Sequence, residues 1–464
     1  MDHQHHALIK SFLSTSSSLE TSTEQNADQP NYWTSDPSSL LTTSNIHSLD
    51  LATGNRILAS ILPALEAAET EVIFVTCYWA ASDSLNRICD SLRKLSSKAL
   101  ADNRTIRVRI CFSSSELLQK LFHTQSATGK VYGPSEWSKA LGLPGPDELK
   151  GLDLQVKSVF LLPISIIHPK FVVIDRKRAF LPSCNVSWEE WFEGCVELSG
   201  PVVGQFVRFW EEFWAGTQDR EVSSTIFTTS SESTSGYTES ADHLGVLHHH
   251  DFTATSVPTL FLPSPHHRNP RVTLPCQAAA PAPLTPLNIF LLQALESARS
   301  YIYIQTPNVT SQPAIAALLQ ALSRGVNVTI VTSERLQLLE QIITAGTTSP
   351  RCVSKLIARH QALANSREGD VEDTAALRLG KLRVSYYKPR DGQEASHDEP
   401  VQSHFKLTVV DGEVAVFGSG NMDRPSWYTS QELGVAFFDR GFVGKVEEGV
   451  EEALSGRRKL AYDG

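Results

Sequence analysis

The feature that most constrains this chain is a motif that occurs twice. Each copy has His, Lys and Asp in the pattern H-x-K-x4-D, and each leads into S-x-N. The first copy consists of His168, Lys170, Asp175, Ser183 and Asn185, and the second of His404, Lys406, Asp411, Ser419 and Asn421. One such pattern could arise by chance. Two copies with the same residue types in the same order indicate two equivalent units.

The hydrophobic patterns around the two motifs repeat as well. Residues 70–79 are mostly β-branched and apolar, which predicts a buried strand, and residues 85–100 have the periodicity of an amphipathic helix. In the second half, residues 287–298 are predicted to be helical and residues 325–331 to form a strand. The near-constant offsets between these patterns favour an internal duplication. Alternating helices and strands predict an α/β fold, with helices covering a mixed sheet in each half.

Composition divides the chain into five parts. Its 464 residues are enough for two domains of ordinary size. Residues 1–45 are poor in aliphatic side chains and rich in Ser, Thr and Gln, so we expect a disordered segment. Residues 217–284 are Ser-, Thr- and Pro-rich, which is typical of a low-complexity linker or insertion. The two domains are therefore predicted at 46–216 and 285–455, with a tail at 456–464.

Charge and hydropathy exclude several classes of protein. The net charge is −10, so a general electrostatic attraction to nucleic acid or anionic lipid is absent. The sequence has neither a run of about 18 apolar residues nor a signal-peptide pattern, so no membrane span and no secretion are predicted. Its 7 cysteines are scattered without a C-x2-C pair, which favours reduced thiols. We therefore expect a cytoplasmic protein, with peripheral contact to a membrane left open.

A histidine triplet at His248, His249 and His250 suggests metal binding at first sight. No Cys or carboxylate set accompanies the triplet at the spacing of metal ligands. We interpret it as part of a solvated low-complexity loop. We expect neither a metal nor another cofactor.

The motif residues suit the chemistry of a phosphate group. Residues two apart on a strand share a face, so the His and Lys of each copy are predicted to point the same way. A Lys offers a point charge to phosphate oxygens, and an imidazole can attack phosphorus or transfer a proton. Ser and Asn of S-x-N would add neutral donors. We place Asp175 and Asp411 in the same catalytic sets, either as structural residues or as residues that shape the site.

Two such sets would form one site if the halves pack face to face about a pseudo-twofold axis. The two histidines would then lie on opposite sides of one phosphorus atom. One would attack, and the other would protonate the leaving oxygen. Both lysines and both asparagines would neutralise the charge that builds on the remaining oxygens.

The paired motifs resemble those of the phospholipase D superfamily, the HKD phosphodiesterases. The resemblance covers about residues 50–215 and 285–450, and the segment ALESARSYIYIQTPNV is similar to the bacterial cardiolipin synthase branch. Tyrosyl-DNA phosphodiesterases lack the Asp of the motif. This chain has it in both copies, which counts against that branch of the superfamily. The resemblance implies two phospholipase D-like α/β/α sandwich halves with the active site at their interface. It also implies a phosphohistidine intermediate, with His168 as the nucleophile and His404 as the general acid.

The same resemblance implies a carboxylate after each S-x-N that orients a histidine. Glu432 takes this place in the second half. In the first half Glu193 is our assignment and Glu197 is its competitor. The first half also has Pro182 where the family usually has Gly before the Ser.

We therefore expect a metal-independent phosphodiesterase or phosphatidyltransferase that acts on phospholipids. Either a hydrolase or a cardiolipin synthase-like transferase fits the motifs. The expected partner is a phospholipid at a membrane surface, met peripherally by a monomer. The alternatives are a nuclease of the same fold, with nucleic acid as the partner, or a catalytically inactive scaffold. Five tryptophans could face lipid or stack on bases, but we interpret them as ordinary packing: Trp188, Trp191, Trp210, Trp214 and Trp427.

Overall fold

A computed structural model describes residues 3–19, 28–114, 129–161, 166–216, 248–267, 281–368, 378–392 and 399–464. The helices are α1 His3–Ser17, α2 Gly54–Ala67, α3 Asp83–Ala101, α4 Pro134–Leu141, α5 Val202–Phe213, α6 Pro286–Ser297, α7 Gln312–Ser323, α8 Leu338–Ala345, α9 Ser349–Glu368, α10 Arg424–Tyr428 and α11 Arg440–Ala453. A short 3-10 helix spans Pro37–Leu40.

The strands are β1 Leu41–Thr53, β2 Glu71–Val75, β3 Ile106–Phe112, β4 Lys130–Tyr132, β5 Leu152–Ser158, β6 Phe171–Ile174, β7 Arg178–Pro182, β8 Trp191–Ser199, β9 His248–Ser264, β10 Tyr301–Gln305, β11 Asn327–Thr332, β12 Leu382–Tyr387, β13 Gln402–Ser403, β14 Leu407–Val410, β15 Val414–Gly418, β16 Glu432–Phe437 and β17 Arg458–Asp463.

The strands pair in one unbroken order that is symmetric about its middle. The order is β4–β5–β3–β2–β6–β7–β8–β1–β9–β16–β15–β14–β10–β11–β12–β17. β2, β3 and β5 are parallel and β6 is antiparallel to β2, as β10, β11 and β12 are parallel and β14 is antiparallel to β10. The two halves thus repeat one topology, and the predicted α/β class is confirmed.

Three buried clusters place the helices around this sheet. One lies under α2, α3 and α4 of the first half, and a second under α1, α6, α7 and α9 of the second half. The third lies between the halves, where apolar residues of α5 and α11 meet strands from both. Phe206 of α5 contacts Phe171 and Phe261, with ring centroids 5.3 and 5.1 Å apart. Helices therefore cover both faces of each half, as a sandwich requires.

The expected linker at 217–284 contains the longest strand of the sheet. β9 has 17 residues and pairs with both β1 and β16. The interpretation of this stretch as a low-complexity connection is wrong for residues 248–264. Its average composition hides the apolar segment around Phe261 and Leu262, both fully buried. Residues 217–247 and 268–280 lie outside the described residues, and the domain boundaries themselves stay predictions.

Both chain ends contain structure where the sequence predicted disorder or a tail. In α1, Ile9 and Phe12 are three positions apart, so they share a helix face and are buried against α6. Phe12 meets Phe290 with ring centroids 5.9 Å apart. At the other end, β17 pairs antiparallel with β12, and the buried Arg457 is bound by Glu399. Among the described residues, no helix combines the length and hydropathy that crossing a bilayer demands.

Candidate active site

Each H-x-K motif lies immediately before a short strand that begins a hairpin. His168 and Lys170 precede β6 of the β6–β7 hairpin, and His404 and Lys406 precede β14 of the β14–β15 hairpin. The expectation that each pair lies on the strand is therefore wrong by a few residues. The chain enters each strand through the motif, so the His and Lys are held at the strand end where the two halves meet.

The backbone of each motif pairs with a strand of the other half. The His168 amide donates to the carbonyl of Gln431, at 3.0 Å, and Ile167 bridges to the same residue. In the symmetric position, β13 pairs in parallel with β8, and the His404 amide donates to the carbonyl of Phe192, at 2.9 Å. The next residue after each acceptor is a glutamate. The pairing therefore brings each glutamate to the histidine of the other half.

The two histidine–glutamate pairs cross the interface between the halves. Nδ1 of His168 lies 2.9 Å from Glu432 Oε2, and Nδ1 of His404 lies 2.7 Å from Glu193 Oε1. An ionised carboxylate accepts, so Nδ1 of each ring donates and Nε2 carries the lone pair. Glu197, the competing residue, is instead bound by Arg178 at 2.8 Å. The geometry therefore favours Glu193 as the orienting carboxylate, though of His404 rather than of its own motif.

The two imidazoles meet across a single cavity. Their ring centroids are 6.5 Å apart and their planes are nearly perpendicular, at 81°. The cavity between them has a volume of about 240 Å³ and is lined by residues of both halves. In-line attack and departure at one phosphorus need two contacts of roughly 3 Å each. The separation of the rings is of the size that a phosphate between them requires.

Both lysines are buried beside the histidines. Nζ of Lys170 donates to the backbone carbonyl of His168 at 2.9 Å. Nζ of Lys406 lies 2.9 Å from Nε2 and 3.0 Å from Nδ1 of His404. The two amino groups are thus placed next to the rings, behind the cavity wall.

Burial controls the ionisation of these groups. It lowers the pKa of His168 to about 4 and that of His404 to about 3, because the neighbouring carboxylates compensate only part of the desolvation. Burial also lowers the pKa of Lys406 to about 7. Burial alone would raise the pKa of Glu432 and of Glu193, but the hydrogen bonds donated by the partner histidine and by neighbouring serines outweigh burial and keep each pKa below its ordinary value. In the free protein at neutral pH, the imidazoles are therefore neutral and the carboxylates ionised.

The two serines hold the glutamates and do not face the cavity. Ser183 Oγ donates to Glu193 and accepts from the Gly194 amide, and Ser419 Oγ donates to Glu432 and accepts from the Leu433 amide. Their expected role in phosphate binding is therefore corrected to a positioning role. A hydroxyl committed to a carboxylate has no proton left for a phosphate oxygen.

The two asparagines do line the cavity. Asn185 accepts from the Tyr78 amide through Oδ1, at 3.3 Å, so its Nδ2 is the group left to donate. Asn421 donates through Nδ2 to Asp423 at 3.0 Å. Both stay candidates for contact with phosphate oxygens.

The two motif aspartates lie at the opposite ends of their strands and bind backbone. Asp175 accepts from the amides of residues 69–71, and Asp411 accepts from those of residues 299–301. Both have a positive φ, 52° and 55°, where each hairpin turns. Their place in the catalytic set is therefore corrected. They fasten each hairpin to the neighbouring strand of its half.

Several further residues that line the cavity were not predicted from the sequence. Trp191 lies against His404, with ring centroids 4.9 Å apart, and its place on β8 two positions before Glu193 could have suggested this. Ser426 donates to Glu432 at 2.7 Å. Burial raises the pKa of Asp423 to about 6. One face of α8 also closes the cavity, and no motif marks it.

The comparisons with known proteins agree with this geometry. A family model described as cardiolipin synthase, PLD-like domain, matches residues 291–454. The cardiolipin synthase A proteins of Pseudomonas entomophila strain L48 and Pseudomonas putida strain KT2440 are each 25% identical over 313 residues, which is 64% of this chain and 49% of theirs. The chain resembles the phospholipase D superfamily in sequence as well as in its two motifs. It spans about half the length of the curated relatives it matches.

A solved structure supports the fold. Phosphatidylserine synthase from Haemophilus influenzae Rd KW20 aligns over 90% of this chain and 89% of its own, with a TM-score of 0.54 and 13% sequence identity. At that identity the likeness shows the fold alone. The predicted architecture of phospholipase D-like α/β/α halves is thereby confirmed.

Proposed function

We propose that this chain is a phospholipase D-type phosphodiesterase or phosphatidyltransferase that acts on phospholipids. The observation that carries the proposal is the pair of imidazoles 6.5 Å apart in one cavity, each bound by a carboxylate of the other half. The cardiolipin synthase A relatives support the choice of a phospholipid. The complete set of His, Lys and Asn residues argues against an inactive scaffold.

The reaction proceeds in two steps. In the first, the Nε2 lone pair of His168 attacks phosphorus, and the bond from phosphorus to the leaving alcohol oxygen breaks as His404 supplies a proton to that oxygen. In the second, water or an alcohol attacks phosphorus and gives its proton to His404, while the phosphorus–nitrogen bond breaks. Hydrolysis and transfer differ only in this acceptor.

The charges around the two imidazole rings suit these two reaction steps. A neutral His168 keeps its lone pair available, and Glu432 stabilises the positive charge that the ring acquires on attack. A phosphodiester anion between the rings raises the pKa of His404, since a nearby negative charge favours the imidazolium. Asn185 and Asn421 then face the oxygens of the transition state, while Lys170 and Lys406 act from behind the two rings.

The charge of the cavity wall favours a lipid over a nucleic acid. Among the described residues that line the cavity none is Lys or Arg, whereas Glu189 and Glu340 are acidic. A polyanionic strand needs basic contacts along its backbone. A single phosphodiester flanked by an alcohol headgroup needs only the charges next to the histidines.

A peripheral membrane contact is supported by α8. Its polar face, with Glu340, Gln341 and Thr344, lines the cavity, while Leu339 and Ile343 of the same helix are 72% and 67% exposed. Trp188, 61% exposed, also lines the cavity. Large apolar side chains beside a site entrance mark a surface that meets an apolar partner. We propose that these residues rest on the bilayer that supplies the substrate.

The central test compares substrates and variants with EDTA present. Phosphatidylcholine, phosphatidylglycerol and single-stranded DNA are offered to the wild type, His168→Ala, His404→Ala and the control His47→Gln, a histidine of β1 away from the cavity. Phospholipid turnover is expected in the wild type and control and is expected to fall at least about 10²–10⁴-fold in the other two. Turnover of DNA but not of lipid would favour the nuclease. Loss of turnover in EDTA while the protein stays folded would contradict metal-independent chemistry.

A trapping experiment tests the order of the two histidines. With a phosphorus-labelled phospholipid and acid-sensitive detection, label is expected on His404→Ala and absent from His168→Ala. The reverse pattern would exchange the two roles, and label on neither variant nor the wild type would contradict the phosphohistidine intermediate. Adding glycerol as an acceptor distinguishes a transferase, which forms a new phosphodiester, from a hydrolase, which forms phosphatidic acid.

A further inference from the structure

A second cluster of ligand-type side chains lies at the start of β9. His248 and His250 are two apart on the strand and share a face, and their rings are stacked with centroids 6.3 Å apart. Glu452, near the end of α11, comes to the same place, with its Oε1 3.7 Å from His248 Nδ1. One ligand atom from each of the three residues lies within 4.8 Å of the others. The carboxylate that sequence spacing did not supply is thus supplied by the fold.

The cluster is held in place by the sheet and the helix. The β1–β9 ladder fixes both histidines, His248 opposite Leu51 and His250 opposite Leu49. The ring of His250 rests against Gly449 of α11 so closely that a Cβ there would lie 2.5 Å from Nε2. Gly449 and Glu452 are three apart and therefore on one helix face. The glycine lets the imidazole approach the face that carries the carboxylate.

One nitrogen of this cluster is unsatisfied. Nε2 of His250 is buried and has no hydrogen-bond partner among the described residues. A buried polar atom without a partner is destabilising unless a water or an ion binds it. Glu452 is 66% exposed in its side chain, so the cluster is open to an ion from solvent.

We propose that His248, His250 and Glu452 form a site for a divalent transition metal that fastens the start of β9 to the end of α11. Two imidazoles and a carboxylate are a ligand set that Zn²⁺ accepts, with a fourth position for water. Imidazole ligands also suit Cu²⁺ and Ni²⁺, whereas Mg²⁺ and Ca²⁺ prefer oxygen. The structural consequence is a cross-link where the chain enters the sheet after residue 247.

This site is distinct from the candidate active site. His248 pairs with Leu51 of β1, and Leu51 pairs with Gly194 of β8. Two strand spacings, roughly 10 Å, therefore separate the backbone of His248 from the strand that carries Glu193. None of the three ligand residues is among the described residues that line the active-site cavity. The metal is therefore expected to affect folding stability and not the turnover of folded protein.

The test measures Zn²⁺ bound by full-length protein without an affinity tag. The sequence also carries His3, His5 and His6, so all proteins have these three replaced by Gln to exclude binding at the amino terminus. After dialysis against EDTA, each protein is titrated with Zn²⁺ in competition with a chromogenic chelator, and bound metal is counted by mass spectrometry. His248→Asn combined with His250→Asn removes the ligands. His249→Asn is the matched control, because His249 faces away and is bound by Asp50 and Asp251.

The proposal predicts one Zn²⁺ per chain for the parent and for His249→Asn, and its loss from the double variant. Glu452→Gln, at an exposed position that tolerates substitution, is expected to weaken binding at least about tenfold. Zn²⁺ is expected to raise the Tm of the parent but not that of the double variant. Equal binding by the parent and by the Glu452→Gln and double variants would overturn the proposal, as would no bound Zn²⁺ in the parent. Should the double variant not fold, the Co²⁺ absorption spectra of the parent and Glu452→Gln decide between the same outcomes.

Discussion

At the scale of single residues, each imidazole is bound by a carboxylate from the other half, and the proposed chemistry depends on that carboxylate. Glu432 orients His168 and Glu193 orients His404, and each glutamate is itself held by a serine. A ring held at Nδ1 can present only Nε2 to the cavity. The serine, glutamate and histidine therefore act as one unit on each side of the cavity.

Replacing Glu432 by Gln is expected to lower kcat with little effect on KM. An amide keeps the shape of the side chain but would not stabilise the positive charge that the proposed attack places on His168, so a loss of about 10²–10⁴-fold is expected. Glu197→Gln is the matched control, because that carboxylate binds Arg178 and lies away from the cavity. Steady-state kinetics on phosphatidylglycerol vesicles measure kcat and KM for the two variants. A similar loss in the two variants would show that Glu432 has no special role.

The buried imidazoles also make a prediction about acid stability. Their pKa values are lowered to about 4 and about 3 in the folded protein, so the unfolded chain, with ordinary values near 6.5, binds more protons between pH 6.5 and 4. The free energy of unfolding therefore falls as the pH is lowered through this window. The expected loss is on the order of 1–3 kcal/mol for each histidine.

Chemical denaturation of the wild type and of the variant with both His168→Gln and His404→Gln measures this effect. The variant is expected to lose less stability between pH 6.5 and 4, since glutamine does not titrate. Glu193 and Glu432 stabilise the folded protein while they are ionised. That stabilisation is lost mainly at still lower pH, because their pKa values lie below the ordinary range. Identical slopes for the two proteins would contradict the proposed neutral state of the rings.

At the scale of secondary-structure elements, α8 has two faces with different partners. Leu339, Ile342 and Ile343 are exposed, while Glu340 and Gln341 line the cavity. Replacing Leu339 and Ile343 by Ser is expected to weaken binding to phospholipid vesicles about tenfold or more, because each side chain loses on the order of 1–2 kcal/mol of apolar transfer energy. Hydrolysis of a soluble short-chain phospholipid is expected to be unchanged.

The comparison of vesicle and soluble substrates separates a membrane role from a folding defect. A variant that loses both activities equally is damaged at the site, and one that loses neither shows that α8 does not meet the bilayer. Leu460→Ser, at an exposed position on β17, serves as the control for a general change in surface hydropathy.

Elements also show what the sequence could and could not predict. The strands and helices around the motifs were predictable, because their apolar periodicity is local. The pairing of Ile167 with Gln431 was not, since it joins residues that only the packing of the halves brings together. The same holds for Glu452 beside the histidine triplet. The role of Asp411 was left open because its partners, the amides of residues 299–301, lie on another strand.

At the scale of the whole molecule, neither half can form the site alone. The first half supplies His168 and Glu193, and the second supplies His404 and Glu432. The long antiparallel pair β1 and β9 joins them at the centre of the sheet. The segment His248–Ser264, which was predicted from the sequence to be part of a linker, therefore forms the strand that joins the two halves.

This arrangement predicts complementation between fragments. Residues 1–216 and 248–464 expressed together are expected to associate through β1 and β9 and to recover phospholipid turnover, while each fragment alone gives none. Residues 285–464 lack β9 but keep the contacts of α6 with α1 and of β13 with β8, so their coexpression with 1–216 is expected to give weaker association and no activity. Copurification and turnover measure both outcomes. A second fragment carrying His404→Ala should associate without restoring activity, which separates assembly from chemistry. Turnover by either wild-type fragment on its own would mean that one motif suffices, and the shared site would then be the wrong description of the molecule.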